Sequence, residues 1–445
     1  MNSDTETKTA FREMVDQYGN VFMVAEELSR GGQGVVFRTR DADIAIKQPT
    51  DPVTKEIAGD PTTFAKKIEA LRLLPIPKSV NVTMPLSFLV QEPGYTMRLL
   101  SGMAPVSSLI GEGWEEVNDK DVPSWLSLVP STKVKSEFVH YAQTGGLRRR
   151  LAVLHKAAAI LARLHSAGIV YGDISDKNVF ADGEIEPNVW IIDSDNMRLE
   201  SSRGTSVLTI GYCAPEVMTG RDSSRLRTDC WAFAVLAFKM LALVHPFRGK
   251  RVDCPDEEED WADTPLDASP DDGNLERAFS GEFPFIDDEN DDSNAFAGGL
   301  PRTLVLTDGL RHLFQETFGP GRLAPWRRPP MLLWARELAW AFDHAVDCPK
   351  CHMGYYGDRH NVCPFCDTRR HPCTKLQTDH WEMVVLTKSD SDFVLPYRLF
   401  HAYSPADLDK HGFLSTFEQS EIVPAFGEDE RFPSPVQTFM MEDAS

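Results

Sequence analysis

The spacing of apolar residues divides the chain into a strand-rich first part and a helix-rich second part. Four short runs of alternating or mainly apolar residues predict strands in the first part. They cover residues 21–28, 44–47, 82–90 and 95–100. Apolar residues three or four positions apart predict one helix over residues 62–74, which ends where prolines exclude a helical backbone. The first part is therefore predicted to be a small, mostly β lobe with a single helix.

The second part of the chain is predicted to be helical. Apolar residues repeat every three or four positions over residues 147–161, which predicts a long helix that ends at Gly168. Residues 228–244 form the most apolar helical stretch, and helical patterns return over residues 306–318 and 331–342. A small strand-rich lobe followed by a larger helical lobe is an α+β architecture.

Two segments depart from this pattern. Residues 252–296 contain two acidic runs, and Arg277 is the only basic residue of the whole segment. This composition predicts a solvated acidic insertion that does not fold alone. A partner-docking loop is the alternative. In the tail, residues 381–386 and 393–400 alternate enough for short strands, whereas residues 428–445 are polar and acidic.

Composition and charge limit the class of protein. The chain has 445 residues, of which 42% are hydrophobic and 25% charged, so we expect a globular protein of two or three domains. A net charge of −21 argues against non-specific binding to nucleic acid or to an anionic membrane, because both need clustered Lys and Arg. The start of the chain has no signal-peptide pattern, and no apolar run reaches the roughly 18 residues of a membrane span. We therefore expect a cytoplasmic location, where the eight cysteines would be reduced or metal-bound.

The stretch with the clearest chemistry is Tyr171-Gly-Asp-Ile-Ser-Asp-Lys-Asn-Val-Phe180, directly after the long predicted helix. It places Asp173 five residues before Asn178, and Asp193 ends a short apolar run fifteen residues later. In a phosphoryl-transfer site one carboxylate orients the attacking hydroxyl, while an amide and a second carboxylate hold the metal on the nucleotide phosphates. The spacing predicts such a site.

A glycine-rich turn and a lysine precede this stretch. Gly31, Gly32 and Gly34 lie in a turn between two predicted strands, where glycine lets the backbone approach phosphates. Val36 would then cover the nucleotide base. Taken alone, this turn favours an ordinary hairpin over a nucleotide loop. Lys47, at the end of the next strand, is suited to pair with nucleotide phosphates and favours the nucleotide loop.

Further positions are expected to complete the site. Glu69, on the helix of the first lobe, is the acid that can reach the lysine, and a surface position is the alternative. Met97 and Leu99 lie on the strand that we expect to contact the adenine. In the helical lobe, the Arg328 guanidinium is expected to form an ion pair with the Glu216 carboxylate.

These motifs resemble, in order and spacing, the eukaryotic-type Ser/Thr protein kinase family over roughly residues 21–345. The resemblance implies a bilobal protein-kinase-like fold that binds ATP and Mg²⁺ and phosphorylates a protein substrate. The residues that carry it are Gly31, Gly34 and Val36 as the glycine-rich loop, Lys47 as the phosphate-binding lysine, Glu69 as its helix partner, Asp173 as the catalytic base, Asn178 and Asp193 as the metal ligands, and Ala214-Pro215-Glu216, Asp229 and Arg328 as structural anchors.

Three departures from the family pattern matter. Gly172 stands where the family usually has the arginine that binds a phosphorylated activation segment, so activity is not expected to need that phosphate. Ser175 occupies the place of a lysine near the transferred phosphate, and Lys177 is the alternative replacement. Asp193-Ser194-Asp195 replaces Asp-Phe-Gly. We assign the metal to Asp193, because the strand ends there, with Asp195 as the second choice.

A cysteine motif follows the kinase-like region. Cys348-Pro-Lys-Cys351 and Cys363-Pro-Phe-Cys366 form two Cys-x-x-Cys knuckles, which can place four thiolates around one Zn²⁺. A pair of redox dithiols is the alternative, but a ribbon with little core of its own needs a metal to fold. The nearby side chains of His352, His360, His371 and Cys373 are unnecessary as ligands.

The ribbon after a kinase-like region resembles the bacterial kinases of the tellurite-resistance-associated triad. That resemblance implies two partners, a von Willebrand factor A-domain protein and a metal-dependent phosphatase. The expected organisation is a polar leader at 1–20, a kinase N-lobe at 21–101, a kinase C-lobe at 102–347 with the acidic insertion at 252–296, a zinc ribbon at 348–373, and short strands with an acidic tail at 374–445.

Three functions are open on the sequence. The first is an ATP- and Mg²⁺-dependent protein kinase acting on Ser or Thr in bacterial signalling. The second is a nucleotide-binding pseudokinase scaffold that docks partners through the ribbon and the acidic loop, and the third is a small-molecule kinase. Candidate phosphorylation sites in the loop after Asp193 are Ser201, Ser202, Thr205, Ser206 and Thr209.

Overall fold

The structure, a computed structural model, describes most of the chain. The described residues are 12–31, 34–78, 80–111, 122–126, 131–184, 187–202, 209–253, 272–370, 373–377, 382–386 and 437–440. Gly32, Thr205 and Ser206 lie outside these ranges, as do the strand expected at 393–400 and the side chains of His371 and Cys373. Within the ranges, none of the helices has the length and apolar composition that crossing a membrane requires.

The first lobe is an antiparallel sheet with one helix. Its elements are β1 (Glu13–Val15), β2 (Val21–Arg30), β3 (Gly34–Thr39), β4 (Ile44–Pro49), α1 (Pro61–Arg72), β5 (Pro85–Phe88) and β6 (Tyr95–Arg98). The strands are ordered β1-β2-β3-β4-β6-β5. Asp60 caps α1 by accepting a hydrogen bond from the Thr63 backbone N–H at 2.8 Å. All four predicted strands and the predicted helix are present, with slightly different ends.

The second lobe is mainly helical, with three short strand pairings. Its elements are β7 (Ala104–Pro105), α2 (Ser107–Ile110), α3 (Thr132–Gln143), α4 (Gly146–Ser166), β8 (Ile169–Val170), β9 (Val179–Ala181), β10 (Val189–Ile191), β11 (Arg198–Leu199), α5 (Pro215–Met218), α6 (Leu226–Ala242), α7 (Lys250–Asp253), α8 (Asp272–Phe279), α9 (Arg302–Val305), α10 (Asp308–Phe318), α11 (Pro320–Leu323) and α12 (Met331–His344). β9 lies between β10 and β7, and β11 pairs with β8. These pairings bracket the loop that carries Asp173.

The core of this lobe surrounds α6. Nearly every residue of that helix from Thr228 to Ala242 is buried, which explains why its sequence is apolar on all sides. Trp231 and Phe238 pack edge-on against Phe318 of α10. The expected ion pair between Arg328 and Glu216 is present beside this core.

The acidic block differs in part from the expectation. Its residues 254–271 lie outside the described residues. Its later part, however, buries Phe283, Phe285 and Ile286 in the main core. Local aromatic residues therefore fold this stretch onto the lobe despite its acidic composition, so it is not a wholly solvated insertion.

The chain ends in two small sheets. β12 (Ala345–Asp347) pairs with β13 (Gly354–Tyr356), and β14 (Cys373–Gln377) lies between β15 (Glu382–Leu386) and β16 (Gln437–Met440). β15 occupies most of the strand expected at 381–386.

Candidate active site

The loop between β8 and β9 is fixed from behind by Asp229 of α6. Its buried carboxylate accepts hydrogen bonds from the backbone N–H groups of Tyr171 at 2.7 Å and Gly172 at 2.8 Å. His165 at the end of α4 contacts the same carboxylate at 3.1 Å through Nε2. Gly172 has a positive φ of 85°, which glycine adopts without strain. The loop is thus held in one shape by two helices of the core.

Asp173 sits in this loop with both carboxylate oxygens engaged. Asn178 Nδ2 donates to Asp173 Oδ2 at 3.1 Å and to the Asp173 carbonyl at 2.8 Å. The Thr209 hydroxyl donates to Asp173 Oδ1 at 2.5 Å. Desolvation raises the pKa of Asp173 to about 6, although the Thr209 hydrogen bond acts in the opposite direction. A hydroxyl facing a carboxylate of raised pKa is the arrangement that general-base chemistry needs.

Thr209 was expected only as one of several candidate phosphorylation sites. The structure gives its hydroxyl a direct contact with Asp173 instead. Nothing in the sequence distinguishes Thr209 from the other hydroxyl residues after Asp193, because the contact joins two positions 36 residues apart in the chain.

Lys47 of β4 lies between two carboxylates. Its side chain is buried, and Nζ donates to Asp193 Oδ1 and, at 2.8 Å, to Asp195 Oδ2. Burial opposes its charge, but the two carboxylates outweigh burial and hold the pKa of Lys47 above its usual value. Desolvation alone would raise the pKa of Asp195, yet Lys47 and a hydrogen bond from Tyr95 hold it below its usual value. The cluster therefore carries one positive charge against two carboxylates.

The Tyr95 hydroxyl donates to Asp195 Oδ1 at 2.6 Å. Ser194, which precedes Asp195 in the chain, is fully buried, and its hydroxyl donates to the Thr83 carbonyl at 2.8 Å. Asp193 has a left-handed backbone with φ of 61°. The short helical turn that carries these two acids is therefore fixed to the first lobe on both sides.

Glu69 does not meet Lys47, which corrects the expected pairing. Its side chain is exposed, whereas the described ion-pair partners of Lys47 are Asp193 and Asp195. Ile68 is the buried residue of this turn, and Lys67 and Glu69 flank it on opposite sides because helical neighbours are about 100° apart. Both flanking side chains are exposed, so α1 supplies no ion-pair partner to Lys47 among the described contacts.

The glycine-rich turn closes against Lys47. The Gly31 N–H donates to the Gly34 carbonyl at 2.9 Å. A Cβ on Gly34 would lie 2.7 Å from the Gln48 carbonyl and 3.1 Å from Lys47 Cε, so glycine is required there. Val36 lies directly opposite Lys47 in the β3–β4 pairing. The structure thus brings Gly34 and Val36 to the lysine, and Gly31 is hydrogen-bonded to Gly34.

The strand expected at the adenine is β6, next to β4. Met97 lies opposite Ala45 in the pairing of the two strands. The Leu99 N–H donates to the Asp43 carbonyl at 2.7 Å, which ties the end of β6 to the start of β4. Met97 therefore shares a face of the sheet with Ala45, and Leu99 directly follows the end of β6.

Ser175 and Lys177 are the two residues considered for the place of the kinase pattern's lysine near the transferred phosphate. Ser175 is buried and Lys177 is exposed. Close to them, Lys239 of α6 places Nζ 3.7 Å from Asp176 Oδ2 and donates to the Tyr212 hydroxyl at 2.8 Å. The sequence placed Lys239 only inside an apolar helix, because its approach to the loop is a tertiary contact.

A second site is formed by Cys348, Cys351, Cys363 and Cys366, whose Sγ atoms all lie within 4.8 Å of one another. Two of the Sγ pairs are 3.5 and 3.6 Å apart, and a tetrahedral zinc–thiolate site requires about 3.8 Å. Backbone N–H groups of Lys350 and Phe365 donate to sulfur at 3.4 Å. All four thiols are free of disulfides. The donor set fits Zn²⁺, and neither His352 nor His360 belongs to this cluster.

This cysteine module, residues 345–370, packs on the helical lobe. The Tyr356 hydroxyl donates to the Val305 carbonyl at 3.0 Å. Asp347 pairs with Arg148 of α4 at 2.9 Å, and Phe365 meets the Phe138 ring edge-on. Ala345, Met353 and Tyr356 belong to the main apolar core.

Comparison with known proteins agrees with this geometry. Residues 141–265 match the family model of the protein kinase domain. Ribosomal protein S6 kinase alpha-3 of Mus musculus and of Homo sapiens is 34% identical over 99 residues, which is 22% of this chain and 13% of the relative. Protein kinase C of Aspergillus fumigatus is 32% identical over 110 residues, 24% of this chain and 10% of the relative. The match thus spans about an eighth or less of these relatives.

The sheet, the helices and this kinase-domain match fit a bilobal protein kinase fold. The four-cysteine cluster is compatible with a zinc ribbon.

Proposed function

We propose that this protein is an ATP-dependent Ser/Thr protein kinase. The observation that carries the proposal is Asp173, a buried carboxylate of raised pKa that accepts a hydrogen bond from a threonine hydroxyl. The kinase-domain match includes this loop, and the similar proteins named above are Ser/Thr kinases by their names.

In this proposal Asp173 orients the substrate hydroxyl and takes its proton. The Thr209 hydroxyl, which donates to Asp173 Oδ1, occupies the position expected for the substrate hydroxyl. Asn178 holds Asp173 in place through Nδ2, which leaves its amide oxygen as a ligand atom. Lys47 contacts the ATP phosphates, and the turn from Gly31 to Gly34 lets the backbone approach them. Positioning and charge neutralisation supply most of the rate enhancement in such transfers.

The residues also fit Mg²⁺. A carboxylate from Asp193 and an amide oxygen from Asn178 are the hard oxygen ligands that this ion prefers. Bound there with ATP, Mg²⁺ neutralises the charge that develops on the transferred phosphate.

The second candidate is a nucleotide-binding pseudokinase scaffold. Gly172, the buried Ser175 and the second acid at Asp195 depart from the kinase pattern and motivate it. The contact between Asp173 and a hydroxyl favours the enzyme, since a scaffold has no need of it.

The test is phosphate transfer from labelled ATP with Mg²⁺ to a generic protein substrate, using wild type, Asp173→Asn and Lys47→Met. Lys78→Met and Asp358→Asn make the same changes at exposed positions and serve as controls. The kinase function is supported if the wild type and both controls transfer phosphate and Asp173→Asn and Lys47→Met do not. Equal background in all five proteins, with ATP bound by the wild type, supports the scaffold.

We further propose that the four cysteines bind structural Zn²⁺, because their sulfur spacing and donor set fit it. The same proposal keeps the divisions at 1–20, 21–101, 102–347, 348–373 and 374–445, a bacterial signalling role and a cytoplasmic location. Its partners are a von Willebrand A-domain protein and a metal-dependent phosphatase. These points rest on the resemblance of the motif order to the triad kinases.

A further inference from the structure

We propose that Asp195 is the positioning residue of Lys47, in the place of an acid on helix α1. The inference rests on the proposed kinase function. Lys47 Nζ lies 2.8 Å from Asp195 Oδ2, whereas Glu69, the acid expected for this role, is exposed.

The two carboxylates on Lys47 have different surroundings. Asp193 is the more exposed of the two, with 20% of its side chain accessible, and its contacts in the cluster are to Lys47. Asp195 is 12% accessible and also accepts the Tyr95 hydroxyl at 2.6 Å. Tyr95 is itself buried in β6, beside the strand that carries Lys47. Asp195 is therefore the acid that the sheet holds in place.

This difference matters when nucleotide enters. Asp193 is the ligand expected to turn towards the metal, which removes one carboxylate from Lys47. An ammonium group this well buried needs a partner, because an unpaired buried charge is strongly unfavourable. Asp195 remains as that partner and keeps Nζ directed at the phosphates.

Helix α1 does not supply the acid that positions Lys47. Its buried face consists of Ile68 and Leu71, with Phe64 stacked on the Tyr95 ring at a centroid distance of 6.3 Å. Glu69 is the one acid in this helix, and its side chain is exposed. Positioning of Lys47 therefore depends on the turn after β10 and not on an acid of the helix.

The test compares Asp195→Asn with Glu69→Gln, which make the same chemical change at the two competing positions. We expect Asp195→Asn to raise KM for ATP about tenfold and to lower kcat at least tenfold, and Glu69→Gln to leave both within about twofold. A loss of folded protein alone would lower kcat without raising KM. Wild-type kinetics in Asp195→Asn, or an equal loss in Glu69→Gln, overturns the proposal.

A second variant covers failure of Asp195→Asn to fold. Tyr95→Phe removes the hydroxyl that holds Asp195 and keeps the ring against Phe64. It should raise KM for ATP by about three- to fivefold, and an unchanged KM contradicts the proposal.

Direct binding of Mg²⁺-ATP separates this proposal from the kinase function. If the wild type binds ATP but transfers no phosphate, the kinase function fails, and weaker binding in Asp195→Asn than in Glu69→Gln still supports Asp195. Equal binding in those two variants overturns it, and a wild type that binds no ATP overturns both proposals.

Discussion

Arg328 and Glu216 form a two-pronged ion pair across 112 residues of sequence, with Nη1–Oε1 and Nη2–Oε2 distances of 2.7 and 2.8 Å. The Arg328 side chain is fully buried and its guanidinium also lies over the Trp231 ring at 4.9 Å. The pair joins α5, which follows the loop facing Asp173, to the start of α12. Its geometry is of the strong, bidentate kind.

We expect Arg328→Ala to lower the free energy of unfolding by about 3–5 kcal/mol, because it leaves the Glu216 carboxylate in a mostly buried site without its cation. The neighbouring pair Arg327–Glu316 is exposed, at 3.4 Å, so Arg327→Ala should cost less than about 1 kcal/mol. Denaturant unfolding of both variants checks the difference. Adding Glu216→Gln to Arg328→Ala should recover part of the loss; a purely additive loss would contradict a direct pair.

The acid limb of the pH–activity profile should follow Asp173. Its pKa is raised to about 6, so below that pH it takes up a proton and can no longer accept one from a substrate hydroxyl. Activity should therefore fall as the pH falls through about 6, and not near 4 as for an exposed aspartate. Measuring kcat/KM between pH 5 and 8 checks this, and a flat profile over that range would contradict it.

Replacing Thr209 should shift the acid limb of the pH–activity profile. Its hydrogen bond favours the ionised carboxylate, so Thr209→Val should raise the apparent pKa by about 1 unit and shift the limb to higher pH. Thr209→Ser keeps the hydroxyl and should leave the limb in place. Ser201→Ala, at an exposed position of the same loop, is the control. An unshifted limb in Thr209→Val would show that this contact does not set the pKa.

The cysteine module should carry about one equivalent of zinc per chain. Cys348→Ser with Cys363→Ser should lose the metal and lower the melting temperature, because a thiolate is taken from each knuckle. Cys213→Ser, outside the module, should keep the full content. Metal analysis of the purified proteins decides; one equivalent retained in the double variant would exclude these cysteines as the site.

Local patterns were sufficient to predict four strands of the first lobe, the helices α1, α4, α6, α10 and α12, and the cysteine cluster, but not α3. Each of these depends on periodicity or on residues close together in sequence. The four cysteines form two short turns, so their spacing already limits the geometry. The pair of Arg328 and Glu216 was also predicted, because both residues belong to motifs of fixed order.

The predictions from the sequence were wrong or incomplete where the result depends on the rotation of a helix about its axis or on tertiary packing. Periodicity identified the buried stripe of α1, but only the packing shows that Glu69, next to the buried Ile68, is exposed and does not meet Lys47. Asp195 was the second choice for the metal carboxylate, and its contacts with Lys47 and Tyr95 join distant parts of the chain that the sequence pattern does not connect. Phe283, Phe285 and Ile286 were hidden by their acidic surroundings.

The packing of the cysteine module on α4 has a mechanical consequence. Tyr356 belongs to the same core as the helical lobe, and Gly354 lies so close to α4 that a Cβ there would stand 3.3 Å from Leu147 Cβ. The module and the lobe thus share an interior, with no hinge between them in the described residues. The last turn of α4 carries His165, which contacts the Asp229 carboxylate that holds the Asp173 loop. A single helix, α4, therefore connects the cysteine module directly to the back of the loop that carries Asp173.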